Sequence, residues 1–236
     1  RFWTAAWIAV YTIFQIYRNG NKRYLILALI TPFFHGAFWI FCFILYCSLF
    51  LRKFEKIWII LFPISFITST FAIELIQRFN SILPTFLSNL AQSYTSDERL
   101  NITWSGFGWL PILFKNMVLC FVSVIILLFI KNSEQIKSNP KTKDLYCFLL
   151  IWVTIFNFLM FVPSLGNRFF LLSYPIIAYI WLVTFKDEKY DKIIILLPFI
   201  FIWNIREQIL YYSMVIDFSY IISNPIYLVY KYILNG

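Results

Sequence analysis

The sequence predicts an all-α fold, a polytopic integral membrane bundle of about seven spanning helices. Three observations predict it. The chain of 236 residues is 61% hydrophobic with a mean hydropathy of +0.76, against roughly 45–50% apolar residues in an ordinary soluble domain. Only 13% of its residues are charged while Phe alone occurs 28 times, too little polarity to cover a soluble core. The apolar residues fall in blocks near the bilayer length of about 20 residues, inside which a helix satisfies every backbone N–H and C=O. The short alternating segments of an outer-membrane barrel are absent from the sequence.

The first helix is expected over residues 2–17, ending at the basic turn RNGNKR. Residues 24–51 form an apolar block interrupted by Pro32, His35 and Gly36 and closed by RKFEK. A third helix is expected over 57–76, followed by a polar extracytoplasmic loop at 77–105 that holds SYTSDERLNITWSG. Helix four covers 107–130, the loop KNSEQIKSNPKTKD follows, and helix five covers 145–163. A short SLGNR turn leads to helix six at 169–185, and after KDEKYDK helix seven runs over 193–212. The tail, with Pro225 and many Tyr, is expected to lie along an interface. No repeat or low-complexity linker divides the chain, which predicts one transmembrane domain over 1–236. The chain opens at Arg1 directly into an apolar stretch without signal-peptide features, so further N-terminal helices are expected to precede it.

The net charge of +9 suggests nucleic acid at first sight, but its placement excludes that partner. Ten of the twenty Lys and Arg lie in loops 52–56, 131–144 and 186–192, where basic residues fix the cytoplasmic side of a membrane protein. The opposite side then carries the 77–105 loop, the Asn167–Arg168 turn and the tail. The basic turn with Arg18, Lys22 and Arg23 joins the cytoplasmic loops if the 24–51 block breaks near Pro32–Gly36 into two short helices. As one tilted helix, about 42 Å long, the block would place that turn outside. The charge count prefers the break, with His35 at the bend, where irregular backbone must be buried in protein or line a cavity. Cys42, Cys47, Cys120 and Cys147 lie in apolar blocks without metal-ligand spacing and read as small buried hydrophobes. No cofactor and no metal are expected.

Ionisable groups in or near spanning helices are costly and mark candidate sites. Arg1, His35, Glu74, Arg78, Lys115, Arg168, Arg206 and Glu207 qualify, and on the broken-block topology all of them approach the outer side. His35, the one histidine of the chain, is a candidate base, and Gly36 beside it permits close approach of a ligand. Arg168 in GNRFF suits a phosphate group, and Gly166 and Asn167 make a polar turn around it. Each has a plainer reading: a hydrogen-bonded kink for His35, headgroup snorkelling for Arg168 and Lys115. Glu74 and Arg78 pair at i,i+4, Arg206 and Glu207 form an interface pair, and Asp97, Glu98 and Arg99 form a solvated loop. Trp104, Trp109, Tyr211, Tyr212 and Tyr220 fit an aromatic belt.

Arg1 heading a helix, the RNGNKR turn, LITPFFHGAFWI, and NRFF before an apolar helix with Tyr174 together resemble the EpsG family, which groups with Wzy-like polymerases of bacterial exopolysaccharide, capsule and O-antigen synthesis. The resemblance covers most of the chain. It implies an enzyme in the bacterial cytoplasmic membrane that joins sugar repeat units carried on a polyprenyl diphosphate at the outer leaflet, beside a chain-length regulator or other assembly proteins. On that reading the catalytic candidates are His35 as base, Arg168 as stabiliser of the leaving diphosphate and Glu74 behind them. Arg1, Asp97, Glu98, Arg99, Asn167 and Tyr174 are the substrate-binding candidates. A transporter or flippase of lipid-linked sugars would show paired broken helices in two halves, and a membrane acyltransferase would also use one intramembrane His. Those two, and a structural membrane subunit, are the competing readings.

Overall fold

Apolar runs that lack turn residues close their own backbone hydrogen bonds as helices, and such runs dominate this chain. The computed structural model describes residues 1–66, 117–161, 163–185, 189–198 and 202, and among the described residues every regular element is helical and none is a strand. None of those helices is long and apolar enough to cross a membrane. Helix α1 spans Phe2–Ile13 and continues through a π-turn, Phe14–Arg18, to the basic turn. The 24–51 block is broken. A 3₁₀ turn Lys22–Tyr24 leads into the single turns α2 (Leu25–Ala28) and α3 (Thr31–Phe34), then His35 is extended at φ −155°, and α4 runs Phe38–Leu51. Pro32 sits in the first turn of α3, where its missing N–H breaks no helical bond, and the Thr31 hydroxyl donates to the Ala28 carbonyl at 2.7 Å.

A 3₁₀ turn, Arg52–Phe54, joins α4 to α5 (55–66). From residue 117 onward come α6 (Met117–Lys131), α7 (Ser133–Ser138), α8 (Pro140–Phe158), α9 (Pro163–Phe170) and α10 (Ser173–Thr184), then a 3₁₀ segment, Lys189–Leu196. Two expectations are corrected here. The stretch 131–144, read as a loop, folds as α7 and the start of α8, because Asn139 caps α8 by accepting from the Lys141 N–H at 2.9 Å and Pro140 fits the first helical position. SLGNR, read as a turn, is the body of α9. The α8 helix has 19 residues, but Lys141, Lys143 and Asp144 occupy its first turns, which shortens its apolar length below the roughly 20 residues of a full span.

The described residues fall into two units. One holds residues 117–124, 189–198 and 202; there Ser123 returns its hydroxyl to the Leu119 carbonyl at 2.7 Å. The other holds 1–66, 125–161 and 163–185, and α8 is its axis, with residues Leu145 to Thr154 all buried. Along α8 the rings form a column. Tyr17 stacks on Phe148 at 4.8 Å, Phe148 on Trp152 at 5.5 Å, Trp152 tilts against Phe156 at 4.4 Å, and Phe156 stacks on Phe169 at 5.2 Å. Buried aromatic pairs of this kind add about 0.5–1.5 kcal/mol each beyond their area. The Trp152 indole N–H donates at 3.0 Å to the Phe169 carbonyl, which also accepts the Leu172 N–H at 3.1 Å.

At one end of the column the Tyr17 and Ser48 hydroxyls share a buried hydrogen bond, which ties the π-turn after α1 to α4. The same end carries Arg52 paired with Asp144 at 2.7 Å, and Lys137 paired with Glu55 at 3.2 Å and Glu134 at 2.9 Å. The turn after Arg18, the α4–α5 junction at 52–56 and the α7–α8 stretch 131–144 therefore lie together. Arg18 itself rests over the Tyr179 ring at 4.9 Å. Residue 2 lies roughly 22 Å away along α1, at 1.5 Å per residue.

Removing one hydroxyl of the Tyr17–Ser48 pair breaks the link between them and leaves the other bonded to the Leu45 carbonyl alone. Tyr17→Phe and Ser48→Ala are each expected to cost about 1 kcal/mol, and the double variant is expected to cost less than their sum, measured by thermal unfolding.

Candidate functional site

The opposite end of the column is built around one ring. Phe2, in the first turn of α1, sits half-buried with its ring centre 5.3 Å from that of Phe38 and 5.8 Å from that of Phe169. Two of the sequence candidates meet on it. The His35 imidazole lies edge-on at 5.4 Å, and the Arg168 guanidinium carbon lies 5.9 Å from the ring centre, within cation–π range. Phe38 touches both His35 (6.2 Å) and Phe169 (4.9 Å), so α1, the 35–38 bend and α9 share a single aromatic contact set.

His35 is placed by the break in the block. Its N–H ends α3 by bonding the Thr31 carbonyl at 3.2 Å, its carbonyl accepts from Phe38 at 2.9 Å, and its Nδ1 accepts the Ala37 N–H at 3.3 Å. The imidazole is half-buried, and Gly36 next to it has open space where a Cβ would stand. Arg168 is exposed, and among the described residues no carboxylate pairs with it. It is held by the neighbouring backbone: Phe169 is buried in the column and accepts from Trp152. Gly166 brings α9 against the end of α8. A Cβ there would meet the Leu159 carbonyl oxygen at 2.6 Å and the Met160 Cα at 2.7 Å, both backbone atoms that cannot swing aside.

Arg1 is exposed at the head of α1, its carbonyl accepting the Ala5 N–H at 3.2 Å, so it stands beside the Phe2 ring in the chain. Asn167 lies within α9, between Gly166 and Arg168. Tyr174 is in the first turn of α10, half-buried and edge-on to Phe170 at 6.3 Å; no contact joins it to Phe2, His35 or Arg168. Glu74, Asp97, Glu98 and Arg99 lie outside the described residues, as do Arg78, Lys115, Arg206 and Glu207. Phe2, Phe38 and Phe169 were not singled out in the sequence, where 28 phenylalanines look alike. Their signal is adjacency: each lies within three residues of Arg1, His35 or Arg168.

An exposed guanidinium and a half-buried imidazole on one ring can grip an anionic group while an apolar body lies against the aromatics. The chain matches no family model, no curated protein and no solved structure.

Gly166→Ala is expected to destabilise the chain by about 1–3 kcal/mol, as overpacking against fixed atoms does, read as a lower melting temperature. Phe2→Ala is expected to leave the fold intact and to loosen the Arg168 guanidinium and the His35 ring, read as greater mobility of their ¹⁵N-labelled side chains by NMR.

Proposed function

We propose that the chain is a membrane-embedded glycosyltransferase of the polysaccharide-polymerase kind, resembling the EpsG and Wzy-like proteins and joining polyprenyl-diphosphate-linked repeat units at the outer leaflet of a bacterial cytoplasmic membrane. The observation that carries the proposal is the meeting of Arg168 and His35 on Phe2, at the end of the helices away from the paired charges of loops 52–56 and 131–144. The surface supports a bilayer setting. Trp7 is 66% exposed, Phe33 84% and Phe43 71%, and Trp3, Trp39 and Phe50 join them, a spread of large outward rings that water disfavours and lipid accepts. The interior supports it too, because Thr12, Thr31, Ser48, Ser65 and Ser173 are buried and each returns its hydroxyl to a carbonyl three or four residues back. Asn157 in α8 donates across to Ser65 of α5 at 2.8 Å, an interhelical polar link of the sort that holds membrane bundles.

In this reading the hydroxyl oxygen of one repeat unit attacks the anomeric carbon of another. A C–O bond forms as the bond from that carbon to the diphosphate oxygen breaks, and the electron pair leaves on the diphosphate. The hydroxyl proton passes to a base, for which the sequence offers His35, with Glu74 or Glu98 behind it. Arg168, with Arg1 beside Phe2, meets the charge that develops on the diphosphate. The polyprenyl tail lies along the outward aromatic faces. Loops 52–56, 131–144 and 186–192 face the cytoplasm, and a chain-length regulator is a natural partner.

The test is reconstitution of the full-length protein in lipid with a polyprenyl-diphosphate oligosaccharide, product length being read on a gel. Wild type is expected to give a ladder, and Arg168→Ala is expected to lose at least about a hundredfold in rate, the scale of one lost charge-stabilising donor. Movement of lipid-linked sugar between leaflets without any ladder would instead assign a transporter.

A further inference from the structure

The backbone around His35 fixes which of its nitrogens carries the proton. A neutral imidazole has one N–H and one bare nitrogen. The Ala37 amide N–H points at Nδ1, 3.3 Å away, and an N–H cannot be accepted by a nitrogen that holds its own proton. Nδ1 is therefore the bare nitrogen, and the proton sits on Nε2. Among the described residues Nε2 has no hydrogen-bond partner, and the ring lies edge-on against Phe2, which the guanidinium of Arg168 also approaches.

We infer that His35 serves the site as a hydrogen-bond donor through Nε2–H, gripping the same anionic phosphate group as Arg168, and not as the base that takes the sugar proton. The inference rests on the proposed polymerase reading for the identity of that phosphate, a diphosphate on a polyprenyl carrier, but the tautomer follows from the Ala37 contact alone. To act as a base through Nε2 the ring would have to move its proton to Nδ1 and surrender the amide of Ala37. The bend supplies the reason for the arrangement. His35 is extended between two helical segments, and the free amide at the start of α4 is the donor nearest to its side chain. Such a start-of-helix amide has no helical partner of its own. A site made of Arg168, Arg1 and an Nε2–H donor offers protons and positive charge and no proton acceptor, which suits a leaving diphosphate and not an attacking hydroxyl.

The chain has one histidine, so ¹⁵N-histidine labelling gives a single imidazole to observe. In nanodiscs of phosphatidylcholine the wild type is expected to show a bare, hydrogen-bonded Nδ1 and a protonated Nε2. Ala37→Pro, at a backbone φ of −62° that proline shares, removes the amide proton and is expected to release Nδ1 from its hydrogen bond. Added polyprenyl diphosphate is expected to shift the Nε2–H resonance, and phosphatidylglycerol in the bilayer is expected to leave it in place. A proton on Nδ1, no response of Nδ1 to Ala37→Pro, or an equal shift from phosphatidylglycerol would each overturn the inference. In the polymerisation assay His35→Gln, whose amide N–H reaches where Nε2–H stands, is expected to stay within about tenfold of wild type while His35→Ala loses about a hundredfold. A base demands the opposite, with Gln as inert as Ala. If wild type forms no polymer, the enzymatic reading falls while the tautomer and the diphosphate shift still decide the inference.

Discussion

Everything described here hangs from Trp152. Its ring lies between Phe148 and Phe156 in the column on α8, and its indole N–H reaches across to the Phe169 carbonyl. A buried indole N–H without a partner is costly, and the Phe169 carbonyl, which also accepts the Leu172 N–H, supplies it. That bond fixes α9 against α8, and the stacking of Phe156 on Phe169 at 9° between planes fixes its rotation. The consequence is at the surface: with Phe169 turned inward, the preceding residue, Arg168, is exposed and rests over Phe2. A hydrophobic packing decision thereby sets the position of the guanidinium on which the proposed chemistry depends.

The column also separates two electrostatic environments. At its Tyr17 end Arg52 pairs with Asp144 and Lys137 with two glutamates, a structural clamp between helices, while Arg18 rests over the Tyr179 ring and Lys53 over the Phe50 ring. Partly exposed pairs of this kind contribute up to about 1 kcal/mol each. At the Phe2 end, among the described residues, Arg168 faces a ring and no carboxylate.

How much of this was legible in the sequence varies by element, for physical reasons. The all-helical fold was legible because long apolar runs admit no other backbone solution, and the break at Pro32–His35 was legible from proline chemistry joined to the placement of basic residues. The α7 helix and the first turns of α8 were read as loop because their composition is polar; what makes them helical is Asn139 capping and a Thr142 hydroxyl that bonds the Ile136 carbonyl at 2.6 Å, a contact across the corner that a linear pattern does not display. The α9 helix was read as a turn because glycine and asparagine favour turns; Gly166 is there instead for a backbone approach to Leu159. His35 and Arg168 stood out as rare ionisable groups in apolar surroundings. Their meeting on Phe2 was not legible, since 133 residues separate them and nothing distinguishes Phe2 from the other phenylalanines until the helices are packed.

The proposed arrangement places Arg168 and Lys137 on opposite faces of a membrane, and the most direct measurement asks whether that is so. Cys42, Cys47, Cys120 and Cys147 are free, so a background without them, carrying one new cysteine at 168 or at 137, reports each face in turn to a membrane-impermeant maleimide. Labelling of Arg168→Cys in intact cells, with labelling of Lys137→Cys only after the membrane is opened, is the predicted result. Labelling of both from one side, or recovery of the protein in the fraction free of membrane, would contradict it.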